Sequence, residues 1–147
     1  MTRDVRLLFF TQALDCETCP QTRQILDEFP PLSNRITIEE VNLILDTQKA
    51  SEYGIDRAPA IAVTYRDSSS NPANPLNPLN PLNDLNPEGW IDSRIRFLGA
   101  PAGYEFISLV QAVLIAGGQP LRLSDESRTL IAAVNKPIAM RVFTTPT

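Results

Sequence analysis

The amino-acid sequence predicts an α/β fold in which helices flank a mixed β-sheet. Residues 5–11 form an apolar run that ends in polar residues, as is typical of a strand buried on both faces. A segment with helical spacing and a second apolar run follow, and a short helical crossover between two strands favours a parallel pair. Two later apolar runs flank a polar insert and predict a hairpin, which adds antiparallel strands.

The first half of the chain should contribute two strands and two helices. The first helix is expected between Cys19 and Pro30, because apolar side chains recur there at helical spacing. The second strand is expected within residues 36–45, although its alternation slips at the centre. A short helix should follow, with Asp46 as its N-cap and Gly54 as its terminator.

The second half should contribute the hairpin, two more helices and a final strand. Residues 60–65 and 91–98 are the two hairpin strands, and residues 103–118 form a helix with one apolar face that covers the sheet. A last helix is expected over residues 124–134, with acidic residues in its first turn. The strand-like run at residues 138–144 follows it.

The hairpin insert, residues 67–90, has a different composition from the rest of the chain. It contains six consecutive triplets that begin with Asn, and most of them read Asn-Pro-Leu or Asn-Pro-Ala. A period of three matches the polyproline II helix, in which one side would carry Leu76, Leu79, Leu82 and Leu85. The alternative is a disordered low-complexity loop with no role.

Composition excludes several classes of function. The 147 residues include 13 Lys or Arg and 17 Asp or Glu, which gives a net charge of −4, and the arginines are scattered rather than clustered. This distribution argues against nucleic acid as a partner. The chain contains no His, which excludes Ser-His-Asp catalysis and every imidazole metal site.

The apolar segments are short. Residues 7–10 are too few for the core of a signal peptide, and no run approaches the roughly 18 apolar residues of a membrane helix. We therefore expect a soluble cytoplasmic protein that does not bind a membrane.

The two cysteines form a Cys-x-x-Cys motif at the junction of a buried strand and a helix. Free backbone N–H groups and the positive end of the helix dipole favour a thiolate at Cys16, and Cys19 is close enough to form a disulfide with it. This pattern assigns Cys16 as the attacking thiol and Cys19 as the resolving thiol. Asp15 and Glu17 act in the opposite direction, because they disfavour a further negative charge beside them.

Three other interpretations of the motif stay open. A structural zinc site needs four ligands, so two cysteines would require a second subunit or carboxylates. A stable structural disulfide is uncommon in the cytoplasm. The motif can also occur by chance, without chemistry. The main hypothesis is a redox-active pair that needs neither a metal nor another cofactor.

Two longer strings now identify a family resemblance. Residues 53–60 (Tyr-Gly-Ile-Asp-Arg-Ala-Pro-Ala) and 97–106 (Phe-Leu-Gly-Ala-Pro-Ala-Gly-Tyr-Glu-Phe), with the Cys-x-x-Cys and the order of elements, resemble the thioredoxin and glutaredoxin-like superfamily. They are most similar to the N-terminal unit of two-unit protein disulfide oxidoreductases. The resemblance covers nearly all of the chain except residues 67–90.

The resemblance implies roles for five residues. Cys16 resembles the nucleophile and Cys19 its resolving partner. Pro59 resembles the cis-proline that packs against the cysteines, Ala58 the residue whose backbone pairs with substrate, and Gly99 should lie at the same end of the sheet. The implied activity is thiol–disulfide exchange, with disulfide-containing proteins as substrates and a thiol reductant or reductase as electron donor.

The resemblance also predicts how the chain is organised. Residues 1–118 would form a thioredoxin-like unit, and residues 119–147 a linker helix with the first strand of an incomplete second unit. The strand at residues 138–144 could then pair between two copies in a homodimer. Because Pro59 begins its strand near the cysteines, the insert should lie at the far end of the hairpin.

The alternative function is a binding or assembly module on a thioredoxin-like scaffold, with residual cysteines.

Overall fold

A computed structural model of the chain describes residues 1–67 and 89–141. In these ranges the strands are β1 (Arg3–Thr11), β2 (Ile36–Asn42), β3 (Ala60–Asp67) and β4 (Ile91–Leu98). The helices are α1 (Cys19–Asp27), α2 (Thr47–Glu52), α3 (Tyr104–Ala116) and α4 (Asp125–Ala132), and a single 3₁₀ turn covers Pro30–Leu32.

The four strands form one mixed sheet in the order β2-β1-β3-β4. Strand β1 runs parallel to β2, with Val5 opposite Ile36, and antiparallel to β3, with Phe10 opposite Ala60. Strands β3 and β4 are antiparallel neighbours, and their register shifts between residues 62 and 64. The predicted α/β fold with a parallel pair and an antiparallel hairpin is therefore confirmed.

Strand β1 lies at the centre of two hydrophobic layers. Its side chains alternate, so that Val5, Leu7 and Phe9 pack in the cluster that includes residues of α1 and α3. Leu8 and Phe10 pack on the opposite face, in the cluster that includes residues of α2. Burial on both faces explains the continuous apolar run at residues 7–10 of β1.

Helices α1 and α3 cover the same face of the sheet with buried side chains. Helix α1 buries Thr22 and Leu26 and ends before Pro30, which cannot donate a backbone hydrogen bond. Helix α3 buries Leu109 and Val113 along the same cluster. Cys19, the first residue of α1, belongs to this cluster, and Cys16 packs against it, so the loop after β1 lies against the packed layer.

The slip in the alternation of β2 has a structural cause. Glu39 accepts a hydrogen bond from the buried Arg6 over 2.7 Å and also pairs with Lys49, while Glu40 pairs with Arg23 over 2.7 Å. The strand also ends earlier than residue 45. The side chain of Asn42 accepts hydrogen bonds from the backbone N–H groups of residues 44 and 45, which turns the chain away from the sheet.

The C-terminal segment packs little against the rest of the described chain. Helix α4 is capped by Ser124, which accepts a hydrogen bond from the backbone of Ser127 over 3.1 Å, and it buries no side chain. Residues 138–141 have no regular secondary structure, contrary to the predicted strand, and residues 142–144 lie outside the described ranges. The division at residue 118 and the homodimer through this segment stay predictions.

Two further expectations concern the triplet repeat and membrane-spanning helices. The triplet repeat at residues 71–88 lies outside them. Within residues 1–67 and 89–141, no helix combines the length and the apolar character that crossing a bilayer requires.

Candidate active site

Cys16 and Cys19 form a disulfide in the connection between β1 and α1. Their Cα atoms are 5.4 Å apart, and Cys19 is the first residue of α1. The two residues differ in exposure: Cys16 is half-buried, whereas only 6% of Cys19 is accessible. An incoming thiolate can therefore reach Cys16 more easily than Cys19.

Local hydrogen bonds fix the loop that carries the disulfide. Asp15 has a positive φ of 56°, a conformation that Asp tolerates better than most residues, and its carbonyl accepts a hydrogen bond from the Gln12 amide over 3.4 Å. The backbone N–H of Cys19 donates to the carbonyl of Cys16 over 3.3 Å. The backbone and the hydroxyl of the fully buried Thr22 both donate to the carbonyl of residue 18, each over 2.9 Å.

Pro20 fits this arrangement because α1 begins at Cys19. The proline occupies the first turn of the helix, where a backbone N–H would have no intrahelical acceptor. The turn around Cys16 precedes the regular helix, so Pro20 removes no hydrogen bond from α1. A helix that began at Cys16 would instead have been interrupted by Pro20.

Three other predicted residues lie at the end of the sheet from which β1 leads to the disulfide. The peptide bond between Ala58 and Pro59 is cis, and Ala58 and Cys16 both pack against the cluster that contains Cys19. Pro59 is buried at the start of β3, and its carbonyl accepts a hydrogen bond over 2.9 Å from the backbone of Gly99, just after β4. Gly99 has a φ of 114°, which favours glycine.

The charged residues that flank Cys16 in the chain are both acidic. Asp15 and Glu17 flank Cys16, and both are exposed.

Arg57, which precedes Ala58 in the chain, forms two hydrogen bonds with the neighbouring Asp56, over 2.7 and 3.1 Å. These bonds and the opposite charge lower the pKa of the Asp56 carboxyl below its usual value, and in return they raise the pKa of Arg57. The pair carries almost no net charge.

Sequence reasoning missed Gln12 and Thr22 as supports of the loop. Thr22 lies three residues after Cys19, which indicates a side chain on the same helix face, but its bond to residue 18 depends on where α1 begins. Gln12 carries no comparable signal. Among the described residues, no group of three or more His, Cys, Asp or Glu side chains is arranged to hold a metal ion.

Comparisons with known proteins agree with this geometry. No protein-family model matches the chain. A probable thioredoxin of Methanothermobacter thermautotrophicus is 35% identical over 49 residues, which are 33% of the chain and 58% of that relative. A probable thioredoxin of Methanothermobacter marburgensis is 32% identical over 60 residues, which are 40% of the chain and 69% of that relative. The chain belongs to the thioredoxin family.

Solved structures extend the likeness of this thioredoxin-family chain over most of its length. The NTD_N/C domain of alkylhydroperoxide reductase AhpF from Enterococcus faecalis is 28% identical, with a TM-score of 0.65 over 92% of the chain. A protein disulfide oxidoreductase from Aeropyrum pernix shares the fold, at 19% identity and a TM-score of 0.61 over 90% of the chain. The chain spans only 55% and 48% of these two structures, and 58% of the first thioredoxin relative.

Proposed function

We propose that this thioredoxin-family chain is a thiol–disulfide oxidoreductase that exchanges electrons with protein disulfides through Cys16 and Cys19. The observation that carries the proposal is the disulfide at the start of α1, in which Cys16 is half-buried and Cys19 is almost inaccessible. Because thiol–disulfide exchange needs access to the attacking sulfur, this difference supports Cys16 as nucleophile and Cys19 as resolving thiol.

The proposed reaction consists of two exchanges. In the reduced protein, the Cys16 thiolate attacks one sulfur of a substrate disulfide, so that a mixed disulfide forms and the other substrate sulfur leaves as a thiolate. The Cys19 thiolate then attacks the Cys16 sulfur and releases the second substrate thiolate. The substrate gains two electrons and two protons, and the protein loses them. A dithiol reductant restores the reduced protein by the same chemistry in reverse.

Ala58, Pro59 and Gly99 are proposed to bind the substrate. Ala58 is half-buried and packs against the same cluster as Cys16, and the buried Pro59 has its carbonyl fixed by the hydrogen bond from Gly99. A substrate segment in extended conformation can lie along the backbone of residue 58 while its sulfur reaches Cys16. Such a segment would add main-chain contacts at the open end of β3.

The experiment that tests this function traps the mixed disulfide. A Cys19→Ser variant lacks the resolving thiol, so it should accumulate a covalent adduct with native, disulfide-bonded insulin. The adduct is visible as an increase in intact mass. The matched variant Cys16→Ser should form little or no adduct, because the remaining thiol is buried. Absence of any adduct with Cys19→Ser, together with no insulin reduction by the unmodified protein, would leave the binding-module interpretation instead.

A further inference from the structure

A groove opens between α1 and the segment that leads from β4 into α3. Its volume is about 400 Å³, and its apolar lining includes Ile25 of α1 with Pro101 and Phe106 of the opposite wall. The ring of Phe106 packs on the buried Phe29, with centroids 5.9 Å apart, so this wall is supported by the core. The groove is therefore a preformed apolar surface.

The groove runs away from the disulfide along α1. Gln21, Ile25 and Glu28 all line it, and their spacing of four and three residues places them on one face of the helix. Cys19 begins that helix, so Glu28 lies about 14 Å farther along the axis at 1.5 Å per residue. An extended chain covers that distance in roughly four residues. The substrate sulfur binds Cys16, whose Cα atom is 5.4 Å from that of Cys19, and the length of a basic side chain spans this remainder.

The charged groups along this face are carboxylates. Glu28 lines the groove, and the exposed Glu17 precedes α1 in the loop that carries the disulfide. In the described parts of the chain, no Lys or Arg lines it. Arg23 of α1 forms ion pairs with Asp27 and with β2, over 2.9 and 2.7 Å, which holds its charge away from the groove.

We propose that this groove binds the disulfide-bearing segment of a protein substrate that carries a large apolar side chain and a basic residue near its cysteine. The inference rests on the proposed function, because it names the substrate class of the same site. The apolar side chain fills the space beside Ile25 and Phe106, and the basic residue, about four positions from the substrate cysteine, pairs with Glu28. Charge complementarity selects a basic segment over an acidic one.

Two synthetic disulfides test the proposal. Each is a symmetric dimer of a peptide with Leu two positions and Lys four positions on both sides of a single cysteine, and in the second peptide Glu replaces Lys. Stopped-flow reduction by the reduced full-length protein should be about two- to fivefold faster for the Lys peptide, the range expected for one exposed ion pair. Added salt should narrow the difference.

Variants locate the effect. Glu28→Gln should reduce the preference for the Lys peptide, since it removes the carboxylate in the groove. The control Glu52→Gln removes the same charge from an exposed position of α2, on the opposite side of the sheet, and should keep the full preference. Equal rates for the two peptides, or the same loss of preference in both variants, would overturn the groove as the specificity site.

A binding measurement separates this inference from the proposed function. Nuclear magnetic resonance spectra of the oxidised protein are recorded with the same peptides in which Ser replaces the cysteine. Selective shifts at residues 21, 25 and 106 with the Lys peptide, without reduction of either disulfide, would support the groove and overturn the redox function. Reduction of both disulfides at one rate without such shifts would support the redox function and overturn the groove.

Discussion

Tyr53 is a buried titratable side chain on the side of the sheet that packs against α2, with 7% of its surface accessible. Burial raises the pKa of its phenol above 10, while the charge of the nearby Arg6 opposes part of the shift. A raised pKa in the folded state means that the stability contributed by neutral Tyr53 is complete below pH 10, the unfolded value. This contribution is lost as the pH rises through the folded value.

The pH dependence of unfolding checks this assignment. The free energy of unfolding in urea should fall above pH 10, and less steeply in Tyr53→Phe, which has no phenol to ionise. The control Tyr104→Phe changes a side chain that is 82% exposed, and its curve should follow that of the unmodified protein. Parallel curves for Tyr53→Phe and the unmodified protein between pH 8 and 11 would contradict the prediction.

Single residues differ in how well the sequence predicts their place. The spacing of Cys16 and Cys19 at a strand–helix junction is enough to predict the disulfide. The place of Pro59 was predicted only through the family resemblance of residues 53–60. Gln12 and Thr22 were not predicted as loop supports. Their partners are backbone carbonyls of the loop, and the position of a carbonyl depends on dihedral angles that residue type does not determine.

At the scale of elements, the end of α3 meets the start of β1. The backbone N–H groups of Thr2 and Arg3 both donate to the carbonyl of Gly117, over 2.9 and 3.2 Å. Gly118 has a φ of 93°, and a Cβ atom there would collide with the hydroxyl of Thr2. This contact anchors the first strand of the sheet to the third helix.

Two alanine variants should compare a position that has both backbone strain and crowding with one that is only crowded. Gly118→Ala should lower the free energy of unfolding by about 1–2 kcal/mol, because an L-residue is strained at positive φ. Gly117→Ala should cost less, since its φ is −70° and much of the crowding comes from the flexible side chain of Met1. Urea unfolding of both variants measures the difference. A larger loss for Gly117→Ala would contradict the argument.

Elements were predicted best where a hydrophobic pattern is continuous. Strand β1 follows its apolar run closely, because both of its faces are buried. Helix α3 has nearly the predicted bounds, but its apolar residues are not all on the buried face: Leu109 and Val113 are buried, whereas Ile107 is 60% exposed. Strand β2 ends three residues early, since the side chain of Asn42 accepts hydrogen bonds from the backbone N–H groups of residues 44 and 45. The run at residues 138–141 has an apolar pattern but no neighbouring strand in the described chain, and a strand needs a partner for its hydrogen bonds.

For the whole molecule, the two ends of the sheet lie far apart. In the register of β3 with β1, the backbone of Asp67 lies opposite Arg3 at the start of β1. Ala60 lies opposite Phe10, at the end of β1 that leads to the disulfide. The eight residues of β3 therefore place the root of the insert about 25 Å from the active-site end. Chemistry at Cys16 should not depend on what the insert does.

Deletion of residues 71–88 tests this separation. The rate of insulin reduction should stay within about twofold of the full-length rate, since distant and independent sites add without coupling. Circular dichroism provides the control that the shortened protein is folded. A folded deletion variant with a large loss of rate would place the insert in the active-site machinery.

Trp90 shows what this separation means for experiments on the protein. It is the only Trp in the chain, it is 8% accessible, and the guanidinium groups of Arg6 and Arg66 lie 4.5 and 4.7 Å from its ring. The residue precedes β4 at the end of the sheet opposite the disulfide, too far away for contact quenching by sulfur. Its fluorescence should therefore report loss of the folded state in the same way for the oxidised and the reduced protein. Stability can thus be followed by an optical signal that does not also record the redox state.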